Sequence, residues 1–326
     1  MKIKTIMILT FTIFTFCNIT VSKAEVIFLE NFDKKEDWFP QTEEEGCSDS
    51  SCKNKLPAGW DYYRNDELWH PNSDGPKYHP TIQISEENHK GTSGKALTVW
   101  NESNNGRSGD GWGADGILAK DLGKDFQELY VFLHIIFQPG FQWNWNTSSG
   151  AAVKMVRFYH WDRLGSPFQF FTTGSNAPAY IYDTSYNQYG FRHFHSHRCD
   201  PQETNYWCAD SYDKSFTFTE KSTFEQKLGD GAWHRMKWYV KMNTSPGAKD
   251  GVVKFWVDGT LEYSRNDIQW MGSSSPGNLG WNIVAIGGNA YNLYADPSEM
   301  KEQYYAIDNV IISSTDFPDI NITPSK

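Results

Sequence analysis

Residues 233–258, WHRMKWYVKMNTSPGAKDGVVKFWVD, decide the fold of this chain. Apolar and polar residues alternate along Trp233–Asn243 and again along Val252–Asp258. A period of two is that of a β-strand with one buried face. Asp258-Gly259 then marks a tight turn into another strand, Leu261–Ser264. The stretch therefore predicts consecutive antiparallel strands.

Strand signals dominate the rest of the chain as well. Helical periodicity is confined to Asp296–Gln303, where Asp296 is a candidate cap. Many short strands with almost no helix indicate an all-β jelly-roll sandwich of two antiparallel sheets, in one domain over residues 25–326. The further predicted strands are Glu128–Gln138, Ala151–Trp161, Phe168–Thr173, Ala179–Asp183, Ser215–Thr219, Trp281–Gly287 and Tyr304–Ser313.

Residues 1–24 have the pattern of a secretory signal peptide. Lys2 and Lys4 precede an apolar run from Ile6 to Phe16, and Ala24 ends a small-residue cleavage site. The run is short for a membrane span, so a membrane anchor is the weaker alternative. The pattern predicts a secreted or periplasmic protein.

Four cysteines follow the predicted signal peptide, in two close pairs. In an oxidising compartment, Cys47 with Cys52 and Cys199 with Cys208 are candidate short-loop disulfides. Neither pair has CxxC spacing, which leaves metal ligation or free thiols as the alternatives.

Charge and aromatic content narrow the class of partner. The net charge of −10 disfavours nucleic acid. The 14 Trp, 17 Tyr and 21 Phe fill a β-rich core or stack on sugar rings, whose C–H faces are apolar. No segment after the leader is apolar enough to span a membrane. The candidate sugar-binding residues in turns and loops are Trp60, Arg64, Trp112, Trp143 and Trp145.

Several motifs together carry a family resemblance. Gly231-Ala-Trp-His-Arg opens a strand that ends at Val240-Lys-Met-Asn-Thr, and Asp250-Gly-Val-Val-Lys-Phe-Trp-Val-Asp-Gly follows. This pattern resembles the concanavalin A-like jelly rolls of secreted polysaccharide lyases, nearest to polysaccharide lyase family 14 and its relatives. Gly150–Lys154 and Tyr180-Ile181-Tyr182 are similar to that family's lysine-bearing and paired-tyrosine strands. The resemblance covers roughly residues 126–313.

The resemblance implies β-elimination on a uronic-acid polymer, in a groove on one sheet. A cation must neutralise the uronate carboxylate, and an acid and a base must move protons. Lys154 or Arg157 would hold the carboxylate, but an ideal strand puts them on opposite faces unless a bulge intervenes. Tyr180 and Tyr182 share a face and form a candidate acid–base pair. Tyr159 and Gln169 are further candidate substrate contacts.

Residues 191–198, FRHFHSHR, form the densest basic stretch. His193, His195 and His197 share one face of an extended strand. They line a groove or sit in a loop before Cys199 and Cys208, with metal binding as the less favoured alternative. His195 is a further candidate base.

A structural calcium is a separate expectation. Glu30 on the first strand and Asp308 on the last supply oxygen ligands that would tie the two ends of the chain together. The alternative is that both are ordinary surface acids. Catalysis itself requires no cofactor in this interpretation.

Two functions remain open at this stage. A polysaccharide lyase agrees with Lys154 and the tyrosine pair, whereas a non-catalytic lectin-like module agrees with the surplus of aromatics and the acidic charge. A glycoside hydrolase is disfavoured, because the chain has no E-x-D-x-x-E run of the kind that jelly-roll hydrolases show.

Overall fold

A computed structural model describes most of the chain in eleven ranges. They are 25–40, 56–65, 81–101, 114–141, 152–168, 177–184, 189–198, 207–218, 226–277, 279–291 and 303–316. Regular helix is almost absent from these ranges. No described helix is long and apolar enough to cross a membrane.

Fifteen strands make up the described fold. They are β1 Val26–Glu30, β2 Tyr62–Asn65, β3 Ile82–Ser85, β4 Ala96–Asn101, β5 Ala114–Phe126, β6 Glu128–Phe137, β7 Ala152–Tyr159, β8 Ala179–Thr184, β9 Tyr189–Arg198, β10 Trp207–Phe218, β11 His234–Lys241, β12 Gly251–Val257, β13 Thr260–Ile268, β14 Trp281–Tyr291 and β15 Gln303–Ser313. All but one of the strands predicted from sequence are confirmed. Residues 169–173 of the remaining one and residues 296–302 of the predicted helix lie outside the described ranges.

The strands form two antiparallel sheets that confirm the predicted sandwich. The eight-stranded sheet runs β13-β12-β11-β6-β15-β4-β3, with β1 paired to β15, and the seven-stranded sheet runs β10-β9-β8-β7-β14-β5-β2. Asp258 and Gly259 both have positive φ between β12 and β13, at 49° and 85°, as the predicted tight turn requires.

The core lies between the sheets and follows from the alternation along each strand. In β11, buried residues alternate with half-buried ones over all eight positions. Trp238 and Phe255 project inward from the eight-stranded sheet and meet Phe158 and Tyr182 from the seven-stranded sheet, with ring centroids 4.8–6.1 Å apart. These contacts fix which face of each sheet is the interior.

A second apolar cluster lies on the outer face of the seven-stranded sheet. Tyr159, Ala179 and Ile283 pack there with Trp161 and Phe168, which belong to the segment after β7. Residues 160–168 therefore fold back over one half of the outer face. The other half carries the charged side chains described next.

Candidate functional site

A β-bulge in β7 brings two cations to one face of the seven-stranded sheet. The register against β8 shifts between Lys154 and Val156. Lys154 pairs with Asp183 and Arg157 with Ile181, two residues away, so both cations share the outer face. The bulge therefore places Lys154 and Arg157 on the same face, whereas an ideal strand would place them on opposite faces. The outer face of this sheet is the candidate site.

Backbone register arranges the outer face in rows that cross the strands. The first row brings Arg64 to Ile117 and Gly287 on one side, and Lys154 to Asp183 and Arg192 on the other. The second row runs through Tyr62, Ala119, Ala285, Arg157, Ile181 and Phe194.

The charged half of the face is built around a buried carboxylate. Arg192 donates to Asp183 through Nε at 2.8 Å and Nη2 at 2.5 Å. Burial raises the pKa of Asp183 above its usual value, although Arg192, Lys154 and Arg157 all act to lower it. Four charged side chains thus lie close together at the ends of three neighbouring strands. Guanidinium and ammonium groups in such a place favour a carboxylate ligand.

Small residues form the middle of this face. Ala119, Ala285 and Gly287 occupy β5 and β14, between the cations of β7 and the half-buried Tyr62 and Arg64 of β2. β2 and β7 are three strand spacings apart, roughly 14 Å. We call this part of the outer face, with small residues in its middle and polar side chains on both sides, the trough. Ala119, Ala285 and Arg157 are buried in it, and the Trp161 ring meets Tyr62 edge-on at 5.5 Å.

One phenol lies on the same face as the cations. Tyr159 is two residues from Arg157, pairs with Ala179 and is buried under residues 160–168. Burial raises the pKa of Tyr159 above its usual value, while Arg157 acts to lower it. The Tyr159 phenol therefore keeps its proton at neutral pH, beside the Arg157 cation.

Solved structures give the fold a context. An endo-β-1,4-glucuronan lyase from the fungus Trichoderma reesei superposes with a TM-score of 0.52 at 13% identity, over 89% of this chain and 96% of that one. The fold is that of a jelly-roll polysaccharide lyase. An alginate lyase from a Chlorella virus is also similar, with a TM-score of 0.49 at 15% identity over 83% and 99% of the two chains. LamA of Zobellia galactanivorans, bound to laminaritriose and laminaritetraose, matches with a TM-score of 0.43 at 13% identity over 89% and 98%.

These likenesses concern the fold, since the identities are 13–15%. No family model matches the chain. No curated protein sequence matches it either.

In this lyase-type jelly roll, the paired tyrosines point into the core. The Tyr180 hydroxyl lies 2.6 Å from Nδ1 of His193, and the Tyr182 ring packs on Trp238 and Phe255 at 5.1 and 4.8 Å. Both side chains are fully buried. The two tyrosines do share a face, as predicted, but it is the interior face, away from Lys154 and Arg157. Their predicted catalytic role is untested.

The histidines of β9 also share the interior face. His193 stacks on Tyr263 with centroids 3.9 Å apart, and His195 meets Trp270 edge-on at 5.4 Å. Burial lowers the pKa of His195 to about 3. A neutral imidazole sealed between the sheets cannot reach a sugar on the outer face, so its position argues against the role of base.

Two other predicted sites have positions that differ from expectation. Trp60 is buried and stacks on Phe32 at 6.2 Å, inside the sandwich rather than in a groove. Glu30 is paired with the Lys35 ammonium at 3.0 Å and accepts the Phe32 N–H at 2.9 Å.

The contacts of Glu30 and Asp308 leave the calcium expectation untested. A calcium at Glu30 would have to displace the ammonium of Lys35. Burial raises the pKa of Asp308 to about 7, and the negative charge of Asp33 adds to this increase. No group of three or more metal-ligating side chains occurs among the described residues. Calcium binding by Glu30 and Asp308 stays a prediction.

The remaining candidates cannot be placed. Cys208 is in β10, but its side chain is not described. Those outside the described residues are Trp112, Trp143, Trp145, Gln169, Cys47, Cys52 and Cys199.

Sequence reasoning missed Asp183 and Arg192. Arg192 belongs to the basic stretch 191–198, in which only the histidines were candidate site residues. The period of two along a strand places Arg192 and Phe194 on one face and His193 and His195 on the other. This alternation could have identified Arg192 as a residue of the outer face. Asp183 follows Tyr182 directly and so lies on the opposite face from both tyrosines.

Proposed function

We propose that this protein is a polysaccharide lyase that cleaves a uronic-acid polymer in the trough on the seven-stranded sheet. The observation that carries the proposal is the gathering of Lys154, Arg157 and Arg192 around Asp183 on one outer face. The likeness in fold to a glucuronan lyase supports the same substrate class.

The proposed chemistry assigns each step to a side chain of this face. Lys154 and Arg157 hold the uronate carboxylate and withdraw charge from C5. Asp183 accepts the C5 proton, since its raised pKa makes it a stronger base than an ordinary carboxylate. The C5–H electrons form the C4=C5 double bond as the C4–O bond breaks. Tyr159 donates its proton to the departing glycosidic oxygen.

A non-catalytic binding module on the same trough is the second candidate. One observation favours it: Tyr180, Tyr182 and His195, the acid–base groups proposed from sequence, all lie on the interior face. In that case the cations of β7 and β9 hold the polymer and no bond is broken.

The deciding experiment incubates the protein with alginate, glucuronan and related polymers and follows the ultraviolet absorbance of the unsaturated uronate product. Tyr159→Phe is expected to reduce the initial rate by about 10²–10⁴-fold. Tyr182→Phe is the matched control, because it removes an equivalent buried hydroxyl from the interior face. It is expected to keep the wild-type rate wherever circular dichroism shows native folding.

Three other outcomes correct the proposal. If folded Tyr182→Phe loses activity and Tyr159→Phe keeps it, the assignment to the outer face is wrong. Binding of short uronate oligosaccharides that Arg157→Gln removes, without product from any polymer, identifies the binding module. If no polymer of the panel is bound or cleaved, both proposed functions are wrong and only the description of the fold remains.

We further propose that residues 1–24 direct export and that the two cysteine pairs are oxidised. The support is the sequence pattern of the leader and the even number of cysteines, four, that follow residue 24. Mass spectrometry of the exported protein, with and without reduction, tests both statements by the new N-terminus and by two mass losses of one hydrogen pair each.

A further inference from the structure

The outer face of the eight-stranded sheet carries aromatic rings and lysines that neither the core nor the trough uses. In β11 and β12, every second residue is buried and the intervening ones are half-buried. The outward-facing residues in the middle of this sheet are Tyr130, Phe132, Lys237, Tyr239, Lys254 and Trp256. All are half-buried except Phe132, which is buried against Tyr130 and Ile311. We call these six residues the outer platform.

Register makes the outer platform continuous across three strands. Trp256 pairs with Lys237, which pairs with Phe132. In the next row Lys254 pairs with Tyr239, which pairs with Tyr130. The rings of Tyr130 and Tyr239 stack with centroids 4.5 Å apart, and Nζ of Lys237 lies 4.7 Å from the centre of the Trp256 ring.

The platform combines rings with positive charge. Two further cations, Arg235 and Lys241, lie on the same face of β11. The acids beside it are already engaged: Glu128 accepts from the Tyr239 hydroxyl at 2.6 Å, and Asp316 is paired with Lys237 at 3.2 Å. Lys254 makes no hydrogen bond or ion pair within the described part of the chain.

We propose that the outer platform is a second, non-catalytic binding site for an acidic polysaccharide chain. Trp256 and the tyrosine pair offer flat apolar surfaces to sugar rings, and Lys254 pairs with a uronate carboxylate. The choice of polymer rests on the proposed function of the trough. The site itself rests on the platform's own geometry, on the opposite sheet.

A second copy of this chain is the competing occupant, and charge argues against it. A twofold interface sets the same patch against itself, so it would bring Arg235, Lys237, Lys241 and Lys254 near their own equivalents. Like charges facing one another oppose association. On a chain of net charge −10, four cations on one face instead complement a polyanion.

The test measures polymer affinity and bond cleavage separately. Trp256→Ala combined with Lys254→Glu is expected to weaken binding to alginate or glucuronan by about tenfold or more in affinity gels. The cleavage rate on short uronate oligosaccharides, which fill only the trough, is expected to stay unchanged. The matched control is Lys124→Glu, which makes the same charge change at an exposed lysine beside the Phe126 ring, 4.9 Å away. It is expected to bind as the wild type does.

The outcomes separate this site from the trough. Arg157→Gln, which alters the trough, is expected to retain most polymer binding through the platform. If no polymer is cleaved but the double variant still loses binding, the proposed lyase function fails and the platform stands. Unchanged polymer affinity in the folded double variant overturns the platform. So does a wild-type dimer that the double variant dissociates at unchanged polymer affinity.

Discussion

Asp183 and Arg192 face each other across β8 and β9 as a two-point ion pair, with the carboxylate fully buried and the guanidinium side chain 14% exposed. The pair lies beside Lys154 and Arg157 on the face that forms the trough. It therefore connects the stability of this part of the sheet with the charge of the candidate site.

Removing one partner of this pair is expected to be costly. Arg192→Ala leaves a buried carboxylate without its guanidinium, which should reduce the free energy of unfolding by about 3–5 kcal/mol. Arg163→Ala is the control, because Arg163 makes a similar two-point pair with Asp121 but is 43% exposed. That variant should lose under about 1 kcal/mol. Urea denaturation of both variants makes the comparison, and equal losses would contradict the burial argument.

The strands of this fold were predictable because their pattern is local. The period-two alternation of β11 and β12 requires one buried face, whatever the partner strand. The face that Tyr180 and Tyr182 occupy was not predictable in the same way. It is decided by Trp238 and Phe255, which come from the other sheet and from much later in the chain.

The bulge beside Lys154 has a similar explanation. A register shift exists only relative to a partner strand, and β8 lies more than twenty residues further along the chain. From the sequence, a bulge was recognisable as the requirement for Lys154 and Arg157 to share a face. Whether the strand contains that bulge was not predictable. Asp183 could not be predicted as a site residue for the same reason. The three cations that surround its carboxylate come from two other strands, β7 and β9.

The trough floor is sensitive to a single methyl group. Gly287 has φ of +82°, and a Cβ there would overlap the carbonyl oxygen of Gly116 on β5. Gly287→Ala is expected to cost about 2–4 kcal/mol, since backbone strain and a clash add together. Gly123→Ala measures the backbone strain alone, because Gly123 has φ of +74° and open space around it. Thermal unfolding should show a clearly smaller loss for Gly123→Ala, and equal losses would exclude the clash.

His234 gives the fold a dependence on pH that can be isolated. Burial lowers its pKa, but hydrogen bonds to Asp258 at 2.8 Å and Asp230 at 3.0 Å outweigh burial, and the net pKa is raised above 6.5. A raised pKa in the folded state means that protonation favours folding. This contribution is fully present below pH 6.5 and is lost as the pH rises through the folded-state pKa.

The measurement compares the wild type with His234→Gln. The wild type should exceed the variant in melting temperature by more at about pH 5.5 than at about pH 8.5. The difference between the two proteins removes the contributions of other titrating groups. A gap that is constant over this range would show that the imidazolium adds nothing.

Asn243 lies in an Asn-x-Ser/Thr acceptor sequence for N-glycosylation, but its side chain takes part in the hydrogen bonding of the interior. Its side chain is fully buried, donates to the carbonyls of Ser245 and Met271 at 2.6 and 3.1 Å, and accepts the Met271 N–H at 2.8 Å. A glycan on Nδ2 would remove a donor and need space that the interior lacks. In a host that glycosylates, the folded protein should carry no glycan at Asn243, as peptide mass spectrometry can establish. Asn243→Ala should destabilise by about 1–3 kcal/mol through the unpaired backbone groups. Ser245→Ala removes the acceptor sequence but keeps the asparagine, so it separates glycan loss from hydrogen-bond loss. A natively folded fraction with a glycan on Asn243 would contradict this assignment.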